Sequence, residues 1–204
     1  LDYMAVPPSQ AAVPSPFDYA AQTRVYVVSD IDKNNPDQLA TAYRELMTAS
    51  GGGALGLFTS IARLRQVHQR LADAPEMEKL MLLAQHVDPL DTGTLVDIFR
   101  AEENACLLGT DAVRDGIDVP GRALRLVVYD RVPWPRPTIL HKARKTDFEE
   151  RHFGAKYDDM LTRLRLKQAY GRLVRRADDH GVFVMLDRAM PSRLKGAFPD
   201  GVDV

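Results

Sequence analysis

The sequence predicts an α/β fold, with a mostly parallel sheet covered by helices on both faces. Two observations predict this class: short, nearly continuous apolar runs, and amphipathic helix patterns that alternate with them along the chain. A strand of such a sheet is buried on both sides, so its side chains are apolar at successive positions. With 204 residues, of which 45% are apolar, the chain can form one large domain or two small ones.

The N-terminal segment, residues 1–23, is predicted to be an extended lead-in. Prolines recur there, and its apolar residues show little periodicity. Residues 24–204 are predicted to form the folded domain. Because the chain begins at Leu1 and not at an initiator methionine, we expect it to be a piece of a longer protein, with processing of the N-terminus as the alternative.

The first elements of the domain carry clear boundary signals. A β-rich run at residues 24–29 precedes a helix with Pro36 in its first turn, and a glycine triplet beginning at Gly51 ends that helix. Residues 54–58, ALGLF, predict a buried strand, and the Thr-Ser pair after it can cap a second helix. Further apolar runs predict strands at residues 80–84, 105–108, 124–129 and 182–186.

Charge and cysteine content narrow the class of protein. Lysine and arginine number 27 against 28 acidic residues, so bulk charge favours neither nucleic acid nor a membrane, although residues 141–176 are locally basic. The single Cys106 excludes an internal disulfide framework and predicts a core residue in a reducing, cytoplasmic protein. The histidines show no metal-ligand spacing, and no apolar run is long enough for a membrane span.

Polar residues directly follow two of the predicted strands, where the ligands of open α/β sheets gather. Thr59 and Ser60 follow ALGLF, and Gly109 and Thr110 precede a predicted loop at residues 111–121. Hydroxyl groups and helix N-terminal amides bind phosphate, and glycine lets the backbone approach closely. Each pair is also explained by a helix cap or a turn, so each alone is weak evidence.

Residues 166–176, LKQAYGRLVRR, predict a helix with one polar and one apolar face. At about 100° per residue, Gln168, Arg172 and Arg175 lie together, opposite the apolar side chains. Guanidinium groups on a rigid helix suit phosphate, because they offer planar, bidentate donors that keep their charge. A solvated basic face is the alternative interpretation.

Four segments, in this order, resemble the C-terminal helicase half of the DinG/XPD branch of superfamily 2. They are SPFDY at residues 15–19, GLFTS at 56–60, GTDAVRDGIDVPG at 109–121 and LKQAYGRLVRRADDHGVFVMLD at 166–187. The last is the most specific, since Gln168, Gly171, Arg172 and Arg175 meet the family pattern Gln-x-x-Gly-Arg-x-x-Arg. The resemblance covers nearly the whole chain and implies a RecA-like (P-loop NTPase-type) three-layer sandwich, the second of two such domains.

The resemblance also implies roles in nucleotide chemistry. ATP with Mg²⁺ would bind between the two RecA-like domains, held mainly by the first, and Arg172 and Arg175 would reach across as catalytic arginine fingers. Gln168 would help to sense the nucleotide. The other residues implied on the cofactor side are Asp115, Gly116 and Asp118.

On the nucleic-acid side, the resemblance implies that Thr59, Ser60 and Thr110 hold successive phosphates of a single DNA strand. Such contacts position a strand without reading its sequence. The chain departs from the family where a Phe-Trp-Glu run is common, since residues 113–115 read VRD. Arg114 would there add a phosphate contact in place of the lost aromatic packing.

Several motifs of a complete motor are absent from this sequence. It has no G-x-x-x-x-G-K-[ST] loop, no Asp-Glu-x-His box and no four-cysteine cluster. We therefore expect the phosphate-binding lysine, the Mg²⁺ ligands and the catalytic base to lie upstream, and this chain alone not to hydrolyse ATP. The sequence leaves open whether an iron–sulfur cluster or a nuclease domain also lies upstream.

The sequence thus predicts the second motor domain of an ATP-dependent DNA helicase, with single-stranded DNA and the upstream RecA-like domain as partners. The alternative is a nucleic-acid-binding or scaffold module that has lost ATP turnover. A Rossmann oxidoreductase is disfavoured, because no G-x-G-x-x-G follows the first strand. Trp134 leaves two interpretations open, stacking on a base or packing at the domain edge.

Overall fold

A parallel sheet organises the part of the chain that the computed structural model describes, residues 15–116, 119 and 121–204. Of residues 115 and 116, the backbone alone is described. The strands are β1 Thr23–Val27, β2 Ala54–Leu57, β3 Met81–Ala84, β4 Ala105–Gly109, β5 Leu126–Tyr129 and β6 Gly181–Met185. They lie in the order β1-β6-β5-β2-β4-β3, and each adjacent pair is parallel. All six confirm the strands predicted from apolar runs.

Helices connect these strands. They are α1 Tyr19–Gln22, α2 Pro36–Ser50, α3 Ile61–Ala72, α4 Thr92–Ala101, α5 Asp111–Gly116, α6 Ile139–Arg151 and α7 Tyr157–Tyr170. Short 3₁₀ turns lie at Pro75–Met77, Gly121–Ala123 and Ser192–Ala197.

Local sequence sets both ends of α2. Asn35 Oδ1 accepts hydrogen bonds from the backbone N–H groups of Asp37 at 3.0 Å and Gln38 at 3.3 Å. Pro36 follows, at a position where the helix needs no N–H donor. The helix ends at Gly51, whose φ of 64° lies in the left-handed region that glycine adopts without strain. Both boundaries lie where the sequence predicted them.

Both faces of the sheet are covered, so the molecule has three layers. Helices α2 and α3 pack on one face, and α4 and α7 pack on the other. Leu55 and Leu57 enter the core under α4 and α7, whereas Ala54 and Phe58 enter the core under α2 and α3. This two-sided burial explains the run ALGLF and confirms the predicted α/β class.

The predicted continuous helix over residues 166–176 is wrong. Helix α7 ends at Tyr170. The backbone N–H of Arg172 donates to the Ala169 carbonyl at 3.2 Å, and that of Leu173 donates to the Tyr170 carbonyl at 3.0 Å, the spacing of tight turns. The physical reason is tertiary packing, since the turn buries Leu173 and Val174, which are neighbours in sequence, against the sheet.

The predicted loop at residues 111–121 begins with a helix instead. In the first turn of α5, the Val113 N–H donates to the Thr110 carbonyl at 3.0 Å. Val113 packs against Gly109, where a Cβ atom would lie 2.4 Å from Val113 Cγ2. Close packing of this helix, and not a turn, therefore requires the glycine.

The predicted lead-in, residues 1–23, is described only in part. Residues 1–14 lie outside the described residues, and Tyr19–Gln22 form a single helical turn directly before β1. Gln22 and Thr23 are buried. The boundary between lead-in and domain stays a prediction.

Candidate functional site

Thr59 lies after the carboxyl end of β2 and is held by Asp130, which follows the neighbouring strand β5. The Thr59 N–H donates to Asp130 Oδ1 at 3.0 Å, and its hydroxyl donates to Oδ2 at 3.3 Å. Arg63 of α3 donates to the same Oδ2 through Nε at 2.5 Å. Burial raises the pKa of Asp130, and the Arg63 guanidinium opposes that rise. One buried carboxylate thus joins β2, β5 and α3.

Ser60 and Thr110 also have partners within the domain. Ser60 Oγ accepts from the Arg63 N–H at 3.3 Å and so caps α3. Thr110 donates to Gln85 Oε1 through both its N–H, at 3.0 Å, and its hydroxyl, at 2.9 Å. These bonds fix the three hydroxyl-bearing residues, which are half-buried at this edge of the sheet.

The fold brings Thr59 and Thr110 to one cavity of about 580 Å³ at the carboxyl edge of the sheet. The opposite wall comes from the segment after β5 and from helices α6 and α7. Three arginines from these elements line the cavity: Arg136, Arg144 and Arg165. The cavity therefore combines hydroxyl groups with positive charge.

Arg114 is buried within α5. Its Nη1 lies 2.8 Å from Asp111 Oδ1, and its side chain is 6% exposed. It also lies near Tyr129, whose pKa burial raises to about 12, a rise that Arg114 opposes. In this position Arg114 interacts inside the domain, and its contact with phosphate stays a prediction.

Arg172 and Arg175 lie in the turn between α7 and β6, residues 171–179, which we call the arginine turn. The Oδ2 atom of buried Asp179 accepts from the backbone N–H groups of Arg175 and Arg176, both at 2.8 Å. Arg172 is half-buried and Arg175 is exposed. One aspartate thus fixes the backbone that carries Arg175.

Gln22 holds the same turn from the other side. Its buried side-chain amide donates to the carbonyls of Arg176 at 3.2 Å, Ala177 at 3.1 Å and Asp179 at 2.9 Å. Gln168 lies exposed in the last turn of α7, just before the arginine turn. The predicted phosphate-binding residues therefore lie in a turn with a firmly bonded backbone.

The two groups of predicted residues lie at opposite ends of the sheet. Thr59 and Thr110 follow the carboxyl ends of β2 and β4, whereas the arginine turn precedes the amino end of β6. Helix α7 connects the two ends, since its Arg165 lines the cavity and its C-terminus enters the arginine turn. Helix α5, Asp111–Gly116, begins just after the carboxyl end of β4.

The predicted cofactor-side residues Asp115, Gly116 and Asp118 belong to the predicted loop at residues 111–121. Gly116 closes α5. Asp118 and the side chain of Asp115 lie outside the described residues.

Residues 43–203 match the helicase C-terminal domain family. The chain belongs to this family. This helicase C-terminal domain is 35% identical over 198 residues to the ATP-dependent helicase DinG of Mycobacterium tuberculosis, a match that covers 91% of the chain. It is 33% identical over 193 residues, again 91% of the chain, to the ATP-dependent DNA helicase YoaA of Escherichia coli. The chain spans 28% and 29% of the lengths of these two relatives.

Solved structures share the fold of this helicase domain. An XPD helicase structure covers 86% of the chain with a TM-score of 0.61 at 17% identity, and the chain covers 33% of it. The Escherichia coli DEAD-box protein SrmB covers 89% with a TM-score of 0.51 at 12% identity, and the chain covers 88% of it. Together these findings confirm the RecA-like fold and the predicted DinG/XPD-like group of superfamily 2 helicases.

Sequence reasoning missed four residues that organise the site. Asp130 and Gln85 directly follow β5 and β3, so the rule that selected Thr59 and Thr110 would have found them too. Asp179 and Gln22 carry no comparable local signal, because their importance comes from contacts across the fold.

The described residues also bear on cysteine chemistry, metal binding and membrane insertion. Cys106 is fully buried in β4, and burial raises the pKa of its thiol to about 12, as expected for a core residue. No cluster of three or more potential metal ligands occurs in the described ranges. Within the described residues, no helix is long and apolar enough to cross a membrane.

Proposed function

We propose that this helicase domain acts as the second motor domain of an ATP-dependent DNA helicase. The observation that carries the proposal is the arginine turn, whose backbone is held by Asp179 and Gln22 at the end of a helix that also lines the carboxyl-edge cavity. Such an arrangement can present positive charge to a nucleotide at one end of the sheet and contact a DNA strand at the other end.

At the nucleotide end, Arg172 and Arg175 would contact ATP that a first motor domain holds with Mg²⁺. The mycobacterial DinG is long enough to contain that first domain as well, since the chain spans 28% of its length. Guanidinium groups would stabilise the charge of the transferring phosphoryl group, a contribution of about 10³- to 10⁵-fold in rate for arginine fingers. The nucleotide-facing neighbours would be Gln168, Asp115, Gly116 and Asp118.

At the carboxyl edge of the sheet, Thr59, Ser60 and Thr110 would bind phosphates of single-stranded DNA. Ser60 Oγ accepts from the Arg63 N–H and keeps its own proton for a phosphate. Thr59 and Thr110 each donate their one hydroxyl proton, to Asp130 and Gln85, so each would turn that proton to a phosphate when the DNA strand binds. Hydroxyl–phosphate contacts do not read base sequence, which suits a motor that moves along a strand. Repeated opening and closing of this domain against the first domain would then move the DNA strand stepwise along the edge of the cavity.

The test is ATPase activity stimulated by single-stranded DNA, measured on the full-length protein with Arg175→Ala. We expect turnover to fall by about 100-fold or more, because the finger is lost from the transition state. Arg176→Ala is the matched control, since Arg176 is the next residue of the same turn and also donates its N–H to Asp179. We expect that control to retain most of the activity.

Two results would contradict the motor function. If the full-length protein shows no strand-stimulated turnover, the domain belongs to a binding or scaffold protein of the same fold. If Arg175→Ala and Arg176→Ala have equal, small effects, the arginine turn supplies no finger.

A further inference from the structure

Trp134 is an exposed ring on a firmly held backbone. It is the only tryptophan of the chain, it is 39% exposed, and it lies between two prolines. The carbonyl of Pro133 accepts a hydrogen bond from Arg165 Nη1 at 2.9 Å. The N–H of Val132, two residues before Trp134, donates to Oδ2 of buried Asp187 at 3.1 Å. The segment is thus anchored to α7 and to the end of β6, while the ring is left accessible.

The ring borders the cavity that Thr59 and Thr110 also line. Trp134 also lines a second cavity of about 630 Å³, so it borders two open spaces. The first cavity, of about 580 Å³, lies within the range of roughly 300–1,000 Å³ found for small-molecule sites. It can therefore hold a unit as large as a nucleotide.

The charge of the first cavity favours an anion. Arg144 lines it, is exposed, and makes no hydrogen bond or ion pair with another described residue. Arg136 lines it too, and donates only a long bond of 3.5 Å to the Thr59 carbonyl among the described contacts. The acidic residue of the lining, Asp111, is already paired with Arg114 at 2.8 Å.

We propose that this cavity binds one nucleotide unit of the single strand, with its base stacked on Trp134 and its phosphate beside Arg144. The proposal rests on the proposed function and names a base-binding position within it. Stacking on an aromatic ring accepts any base, because every base has a π-face, so it is compatible with movement along a strand of mixed sequence. The hydroxyl groups of Thr59 and Thr110 would hold the neighbouring phosphates.

The test compares two strands on the full-length protein: oligothymidylate, and a strand of equal length that carries abasic sugars. We expect Trp134→Ala to weaken binding of oligothymidylate about tenfold and to leave binding of the abasic strand unchanged, since only the first offers a base to stack. Trp134→Phe should restore most of the affinity, because phenylalanine keeps an aromatic face.

A second pair of variants tests the phosphate contact. We expect Arg144→Gln to weaken binding of both strands and to reduce the slope of log affinity against log salt by about 0.7, the value for one phosphate of a single strand. Arg151→Gln is the control, since Arg151 lies on the same helix, is exposed, and does not line the cavity. Its salt slope should match that of the wild type.

The outcomes separate this inference from the proposed function. If Trp134→Ala weakens the binding of both DNA strands equally, or of neither, the ring does not stack on a base. A protein segment then packs against it instead. If Arg144→Gln behaves as Arg151→Gln does, the phosphate position is wrong. If the wild-type protein binds neither strand, the proposed function itself fails. Matching thermal unfolding of the variants would show that each effect is local.

Discussion

At the scale of single residues, Asp130 joins β2, β5 and α3 at the carboxyl edge of the sheet. Its side chain has no exposed surface, and its two oxygens bind the Thr59 N–H, the Thr59 hydroxyl and Arg63 Nε. Arg63 Nη2 in turn donates to the Lys33 carbonyl at 2.6 Å, and Lys33 Nζ lies 2.6 Å from Asp187. Removing the charge at Asp130 would therefore disturb several neighbouring strand ends.

We expect Asp130→Asn to lower the free energy of unfolding by about 3 kcal/mol, because Arg63 would keep its charge in a largely buried place without a counterion. Asp37→Asn is the matched control. Asp37 also pairs with an arginine Nε at 2.5 Å, but its side chain is 78% exposed, so that loss should cost at most about 1 kcal/mol. Denaturant unfolding of both variants measures the difference, and equal losses would contradict the role assigned to burial.

At the scale of elements, the end of α7 decides where the predicted fingers lie. A continuous helix would place Arg172 and Arg175 on its surface beside Gln168, about 20–40° from it around the axis. The turn instead places them on an irregular segment, whose carbonyl and N–H groups find partners in Gln22 and Asp179. Residues on such a segment can point across a domain interface, while their backbone stays fixed.

We expect Asp179→Ala to reduce strand-stimulated ATPase activity of the full-length protein by about 10-fold, with little change in the KM for ATP, because the arginine turn loses its two 2.8 Å bonds. Asp178→Ala is the control, since Asp178 is the exposed neighbour in the same turn. Asp179→Asn keeps an acceptor oxygen and should recover part of the activity. Equal activity of the two alanine variants would show that Asp179 does not position the fingers.

At the scale of the whole molecule, two cores share one sheet. Leu64 of α3 is fully buried on one face and Leu95 of α4 is fully buried on the other. All six strands belong to one hydrogen-bonded sheet. Neither core can therefore lose its packing while the other keeps an intact sheet.

We expect Leu64→Ala and Leu95→Ala each to lower the free energy of unfolding of this chain by about 2–5 kcal/mol, through lost burial and the cavity left behind. Both variants should unfold in one transition, whether followed by circular dichroism or by the fluorescence of Trp134. Leu164→Ala, at a leucine that is 50% exposed, is the control and should change stability much less. Two separate transitions would mean that the cores unfold independently.

Local sequence patterns were enough to predict the strands, the capped ends of α2 and α3, and the family. These follow from local causes: burial of a strand on both faces makes ALGLF apolar throughout, and Asn35, Gly51 and Ser60 satisfy groups at helix ends within a few residues. The motif at Gln168 is also a local pattern, and the family that it predicted is confirmed.

The end of α7, the residues that fix the arginine turn and the shared cavity of the threonines and Trp134 depend on packing between distant segments. Gln22 and Asp179 lie far apart in sequence, yet the amide of one donates to the carbonyl of the other at 2.9 Å. Likewise Asp130 reaches Thr59 only because β5 pairs with β2. Contacts between distant segments carry no periodicity or spacing along the chain, so no local pattern could have predicted them.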